Sequence, residues 1–478
     1  MMSRNYRWVT AALCLALLLC FATSVGAQNA EQANEEARLI FKQLIEINTT
    51  DSVGNVTTAA EAMARRLRDA GFAEDDVLVA GPNDRKKNMV ARYHGTGKKK
   101  PILFIGHLDV VEARREDWST DPFQFVEKDG YFYGRGTEDM KEGDALLVET
   151  FIRLKREGFE PDRDLILALT ADEEGGSANG IDWLLKEHKN WIDAEYCINL
   201  DGGEFEKLKG KRVLAGLQAS EKVYADFEFE TFNPGGHSSV PGSENAIYEL
   251  SAALLKVQNF SFPVKINDIT RNYFAHSAEL TTGKLAEDLG EAAKQPADPG
   301  AIRRLSAIPY YNSLLHTTCV ATMLSGGHAT NALPQTAKAN VNCRIFPGEA
   351  PEDVLKTLEK VVANPGVKIS MVQAKTSDGK PVPILGVPAS PLLPELVKTL
   401  EKTVDSMWPG LPVVASMSTG ATDGNYLRIA GMPTYGISCM FFDMEDERAH
   451  GKDERVGAQD FYDGVEFTYR FVKALATK

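Results

Sequence analysis

"DLILALTADEEGGSANG", residues 164–180, begins as a run of apolar, strand-forming residues and ends in Asp172, Glu173, Glu174 and glycines. Two other stretches share this build. "KKPILFIGHLDVV" (99–111) and "AEYCINLDGG" (194–203) also run apolar and then stop on a polar residue. Continuous apolar runs of this length suit strands covered on both faces. Between them lie the helical patterns "GDALLVETFIRLKREG" (143–158) and "GIDWLLKEHKNW" (180–191). Strand and helix in alternation predict an α/β catalytic domain with a largely parallel central sheet flanked by helices. Three acids at the end of a buried strand are costly unless a cation meets them, which raises the question of what that cation is.

Working outward, the texture changes near residue 216. "KVYADFEFETF" (222–232) alternates strictly, as a half-exposed antiparallel strand does. "ENAIYELSAALLKVQN" (244–259) and "PEDVLKTLEKVVAN" (351–364) read as helices, and "TTCVATMLSGG" with "AKANVNCRIFPG" as paired strands. This block is expected to be an inserted α+β domain spanning 216–380. It separates a first catalytic part, 28–215, from a second, 381–478. The Gly- and Pro-bearing stretch 281–300 is expected to be a surface excursion within it.

The N-terminus, "MMSRNYRWVTAALCLALLLCFATSVGAQNA", places Arg4 and Arg7 before a short apolar core and small residues near Ala27. That is the layout of a secretory signal peptide over 1–27. An uncleaved anchor is the competing reading of the same segment. No later stretch is apolar enough to span a bilayer, so no stable membrane insertion is expected after cleavage. The product is expected to be secreted, and periplasmic in a Gram-negative host. Loss of Arg4 and Arg7 would take the formal charge from −14 to −16. So acidic a chain disfavours nucleic acid as a partner. Cys197, Cys319, Cys343 and Cys439 lack CxxC spacing, which leaves room for one disulfide but favours buried thiols.

The ends of the apolar runs carry the chemistry. The first closes on His107-Leu108-Asp109, the next helix is introduced by Glu138-Asp139, and the later strands end in Glu173-Glu174 and Asp201. The C-terminal "DMEDERAHGKDER" (443–455) supplies His450. Ligands in parallel α/β sheets bind outside the carboxyl ends of the strands. His107, Asp139, Glu174, Asp201 and His450 are therefore expected at one edge. Two imidazoles and three carboxylates suit zinc, and five ligands suit two ions about 3.5–4 Å apart that share a carboxylate and a water. Glu173 remains as a general base, and Asp109 is placed to orient His107 by hydrogen bonding. Each motif alone reads as a turn or a surface accident. Their shared position after strand-like runs gives the set its weight.

These motifs, together with "GRGTEDMKEGDA", "NPGGHSS" and "AHGKDERV", resemble the co-catalytic zinc metallopeptidases related to glutamate carboxypeptidase, carboxypeptidase S and aminoacylase. The resemblance implies two Zn2+ per subunit, with Co2+ or Mn2+ as substitutes. His107, Asp139 and Asp201 would hold one ion and Asp139, Glu174 and His450 the other, Asp139 bridging. It also implies a lid domain that usually mediates a homodimer. On that lid, His237 of "GGHSS" would polarise the scissile carbonyl and Asn331 would help hold the oxyanion. Arg344 would pair with a substrate carboxylate, with Gly424 and Asn425 of "STGATDGNYL" nearby. One departure is Glu142, where relatives often have glycine after the lysine. His94, His188, His276, His316 and His328 carry no motif and read as structural or surface residues, with His328 set apart by its closeness to Asn331.

The expected activity is that of a secreted zinc exopeptidase, a carboxypeptidase or dipeptidase acting on small peptides through a metal-bridging water. An aminoacylase acting on N-acyl amino acids shares this chemistry. Aminopeptidases with a similar ligand set normally lack the inserted lid. A dead binding protein on the same scaffold should have lost ligands or base, whereas all six are present here.

Overall fold

The computed structural model describes residues 30–175, 178–373, 384 and 386–477. The leader assigned to 1–27 and the boundary drawn at 380 lie outside the described residues. The chain divides into two compact units. One holds the described residues up to Arg212, Pro394–Leu411, and those from Ser438 onward; the other holds Val213–Leu393 and Pro412–Ile437.

In the first unit five strands lie in the order Val77–Ala80, Asn88–Tyr93, Leu165–Thr170, Ile102–His107, Tyr196–Asn199. The three that deliver chemistry pair in parallel, as their continuous apolar runs predict. The other two pair antiparallel, so the sheet is mixed. The connection over 81–87 is too short for a crossover and can only return the chain beside itself. Every residue of Ile102–His107 and Leu165–Thr170 is buried. Helix Lys141–Arg156 covers the sheet, with Phe151 edge-on to Phe104 at 6.1 Å. A small sheet of Val126–Lys128, Tyr131–Tyr133 and Arg455–Gly457 joins the C-terminal region to the segment before Gly134. Helix Ala458–Leu475 follows, and its Phe461 stacks on Phe41 at 4.9 Å.

The second unit contains an antiparallel sheet ordered Thr318–Gly326, Thr336–Ile345, Val223–Phe232, Val367–Val372. Burial along Val223–Phe232 alternates as the sequence predicts. Phe227 and Phe229 face a core with Leu250 and Leu358 from helices Ala246–Gln258 and Pro351–Val362, while Glu228 and Glu230, which alternate with them, face away.

Two expectations need correcting here. The stretch 281–300, expected as a surface excursion, is largely helical. It belongs to a run of four helices, Asp268–Leu280, Gly283–Ala292, Pro299–Leu305 and Pro309–Leu315, which bury Phe274, Leu289, Leu305 and Leu315. Asp298 caps the third by accepting from the Ala301 N–H at 2.7 Å, and Pro299 fills its first turn. Nor are all four cysteines thiols. Cys319 and Cys343 sit directly opposite on paired strands, Cα to Cα 4.1 Å, and form a disulfide. Cys197 and Cys439 are buried and free. Among the described residues no helix is long and apolar enough to cross a membrane.

Candidate metal centre

His107 ends a central strand and is 2 % exposed. Its Nδ1 lies 3.0 Å from the main-chain oxygen of Asp109 and its Nε2 3.1 Å from Asp139 Oδ1. With Nδ1 donating to the carbonyl, Nε2 keeps its lone pair for a ligand. Asp201, just past strand Tyr196–Asn199, approaches the same nitrogen at 4.0 Å. The Asn199 side chain holds that turn by accepting from the Asp201 N–H at 3.1 Å. On the far side of Asp139, its Oδ2 lies 2.9 Å from His450 Nε2, which is also 3.0 Å from Glu174 Oε1.

The five side chains expected as ligands thus meet within the first unit. Donor atoms of His107, Asp139 and Glu174 lie within 4.8 Å of one another, as do those of His107, Glu173 and Asp201. Hydrogen bonds to Asp139 and Glu174 push the His450 imidazole up to about 10. Burial draws His107 down, yet the hydrogen bond to Asp139 and the charge of Asp201 carry it well above its usual value. Carboxylates that pull this hard on two imidazoles leave a demand for positive charge that divalent ions would meet. The donor set, nitrogen and oxygen only, fits such a pair.

The role foreseen for Asp109 changes in one respect. Its main-chain carbonyl, not its carboxylate, orients His107, because Oδ1 is 3.8 Å from Nδ1. The carboxylate instead accepts the N–H groups of Glu173 at 3.2 Å and Glu174 at 3.1 Å, fixing the turn that presents both acids. Burial raises the Asp109 carboxyl. Asp172, with φ at 64°, forms a buried ion pair with Lys86. The first of the three opening acids is therefore met by an ammonium. Lys86 has no sequence motif and lies on a distant segment, so local spacing held no sign of it. Glu142, in the first turn of its helix, is buried, and burial pushes its acid well above the usual range.

In the second unit the foreseen residues fall into two groups. His237 pairs with Ala332 in a two-stranded ladder, and the Ser238 N–H donates to the Asn331 carbonyl at 3.0 Å. Arg344 lies near the opposite end of strand Thr336–Ile345, about 26 Å along it by strand rise. Its guanidinium lies 4.8 Å from the centre of the Tyr224 ring. Gly424 opens helix Gly424–Ile429, and Asn425 Nδ2 donates to the Lys222 carbonyl at 3.5 Å. Lys222 was not foreseen. Burial and the Arg344 charge lower its ammonium to about 7. Three of the histidines without motifs make structural contacts: His94 pairs with Asp76, His188 stacks on Trp191 at 3.9 Å, and His316 is buried against the Phe262 carbonyl and Ser306.

A family model described as "Peptidase family M20/M25/M40" matches residues 103–474. The chain is 28 % identical to a Dictyostelium discoideum "probable carboxypeptidase S-like 2", over 78 % of this chain and 71 % of that one. It is 26 % identical to the human "N-fatty-acyl-amino acid synthase/hydrolase PM20D1", over 78 % and 74 % of the two chains. Among solved structures it resembles an M20 family metallo-carboxypeptidase of Sulfolobus solfataricus, with TM-score 0.68, 16 % identity and 92 % and 98 % of the two chains covered. It also resembles a dinuclear metal-binding peptidase of Bacillus subtilis, with TM-score 0.58, 12 % identity and 93 % and 99 % coverage.

Proposed function

The chain belongs to peptidase family M20/M25/M40 and is a hydrolase acting on amide bonds; from that premise we propose a dizinc exopeptidase that cleaves small peptides carrying a free C-terminal carboxylate. The observation that carries this reading is the position of Asp139, whose two carboxylate oxygens lie 3.1 Å and 2.9 Å from His107 and His450. His107, Asp139 and Asp201 would hold one ion, and Asp139, Glu174 and His450 the other. When bound, the ions supply Lewis acidity and lower the pKa of water. Glu173 takes the proton of the attacking water and returns it to the leaving nitrogen. Asp109 and the Lys86–Asp172 pair hold Glu173 in place by fixing its turn.

A second reading, hydrolysis of N-acyl amino acids, is favoured by the similarity to the N-fatty-acyl-amino acid synthase/hydrolase. Both substrate classes present a carboxylate beside the scissile amide. Export is supported by the leader-like N-terminus and by the Cys319–Cys343 bridge, which suits an oxidising compartment.

The deciding experiment assays dipeptides, longer peptides and N-acyl amino acids side by side. Dipeptides are expected to give the highest kcat/KM, and a panel in which only long-chain acyl amino acids turn over would replace the first reading with the second. Arg344 is assigned to the substrate carboxylate. Arg344→Ala is expected to lower kcat/KM for free-acid substrates about 10²-fold, the scale of losing a charge-assisted pair worth about 1.5–3 kcal/mol. Amidated counterparts should change far less, and equal losses on both would remove the assignment.

A further inference from the structure

Arg135 and Glu454 form an ion pair at 2.5 Å whose side chains are 3 % and 0 % exposed. Arg135 lies in "GRGTEDMKEGDA" and Glu454 in "AHGKDERV", but neither was given a role there, and neither is placed to bind an ion. What they hold is the backbone around two residues that are. The Glu454 carboxylate accepts the N–H of Gly136 at 3.0 Å, of Glu138 at 2.7 Å and of Asp139 at 3.1 Å. One buried anion thus fixes the loop that aims Asp139. Across the pair, Arg135 Nη2 donates to the carbonyls of Gly451 at 2.9 Å and His450 at 3.3 Å. His450 has φ at 61°, a left-handed conformation that a non-glycine residue keeps only under external restraint. The guanidinium supplies restraint at the carbonyl of that residue. Pairing of Arg455–Gly457 with Tyr131–Tyr133 brings the two loops side by side, and the Arg448 N–H adds a 2.7 Å bond to Glu138 Oε2.

His107 and Asp201 are held differently. His107 ends a strand paired on both sides, and Asp201 is braced by Asn199. None of these contacts passes through Arg135 or Glu454.

We infer that Arg135–Glu454 is a positioning pair that joins the Asp139 and His450 loops and tunes the ion on the His450 side, which takes both of those ligands, more strongly than its neighbour, which shares only Asp139. The inference rests on the two-ion reading above. Partners of this kind, one shell out from a metal, typically change affinity about 10–100-fold.

The test uses the metal-free full chain titrated with Co2+, followed by calorimetry and by visible absorption. The parent is expected to bind two ions. Glu454→Gln and Arg135→Lys are each expected to weaken one binding event about 10–100-fold and the other clearly less. The more weakened event should be the one missing in His450→Ala. Arg135→Lys keeps the charge opposite Glu454 while losing the fork to the two carbonyls, so it remains informative where Glu454→Gln folds poorly. In the assay, kcat should recover as Co2+ is raised, with KM unchanged. Isotherms matching the parent, or equal weakening of both events, would overturn the positioning role and leave the two-ion reading intact. A parent that binds fewer than two ions would overturn that reading and this inference with it.

Discussion

Glu173→Gln is expected to keep both ions and to lower kcat by about 10²–10⁴-fold, the contribution of a positioned general base. The substitution preserves shape and removes only the proton acceptor. The turn that presents residue 173 is fixed by groups the change leaves alone: the Asp109 carboxylate on the Glu173 and Glu174 N–H groups, and Lys86 on Asp172. The amide should therefore occupy the carboxylate's place. Metal content decides between two roles, because Glu173 lies within 4.8 Å of donor atoms of His107 and Asp201 and could itself be a ligand. Elemental analysis giving two ions with the rate lost supports the base. Loss of one ion would reassign Glu173 to the metal shell, and a parental rate would leave it with neither role.

Much of this centre was legible because its residues occupy places the backbone dictates. His107, Asp172 to Glu174, and Asp201 each follow an apolar run, and parallel pairing of those runs brings their ends together. His450 was legible as the histidine of the polar segment that follows the last apolar run, although its left-handed backbone and surrounding loop follow no periodic pattern. Partners that depend on register or long-range contact left no sign in the chain. Cys319 and Cys343 meet because one strand is opposite the other at that residue pair, which a spacing of 24 residues does not disclose. Lys86 holds its turn from a remote segment, and Glu454, inside "AHGKDERV", shows its role only once its loop pairs with the Asp139 loop. The helices over 283–305 were hidden by their glycines and prolines, although Asp298-Pro299 is a sound cap and first turn. The antiparallel edge of the first sheet was obscured because a buried strand reads the same in either direction.

Metal removal should act most strongly through Asp139, a carboxylate whose two oxygens lie beside two different imidazoles. Asp139→Ala is expected to bind fewer than one ion per chain and to lose more activity than Glu173→Gln. The reason is electrostatic as well as geometric. A bridging carboxylate offsets the repulsion between two close cations, so its deletion weakens each ion directly and through the other. Asp139→Asn keeps one oxygen acceptor and should retain a single ion. Thermal melts give a readout that does not depend on turnover. An ion at 100 times its dissociation constant stabilises the fold by about 2.7 kcal/mol, so a chelator should lower the melting midpoint of the parent and leave that of Asp139→Ala unchanged. If Asp139→Ala still carries two ions and still responds to chelator, the bridge is elsewhere and the ligand sets assigned to His107 and His450 must be redrawn.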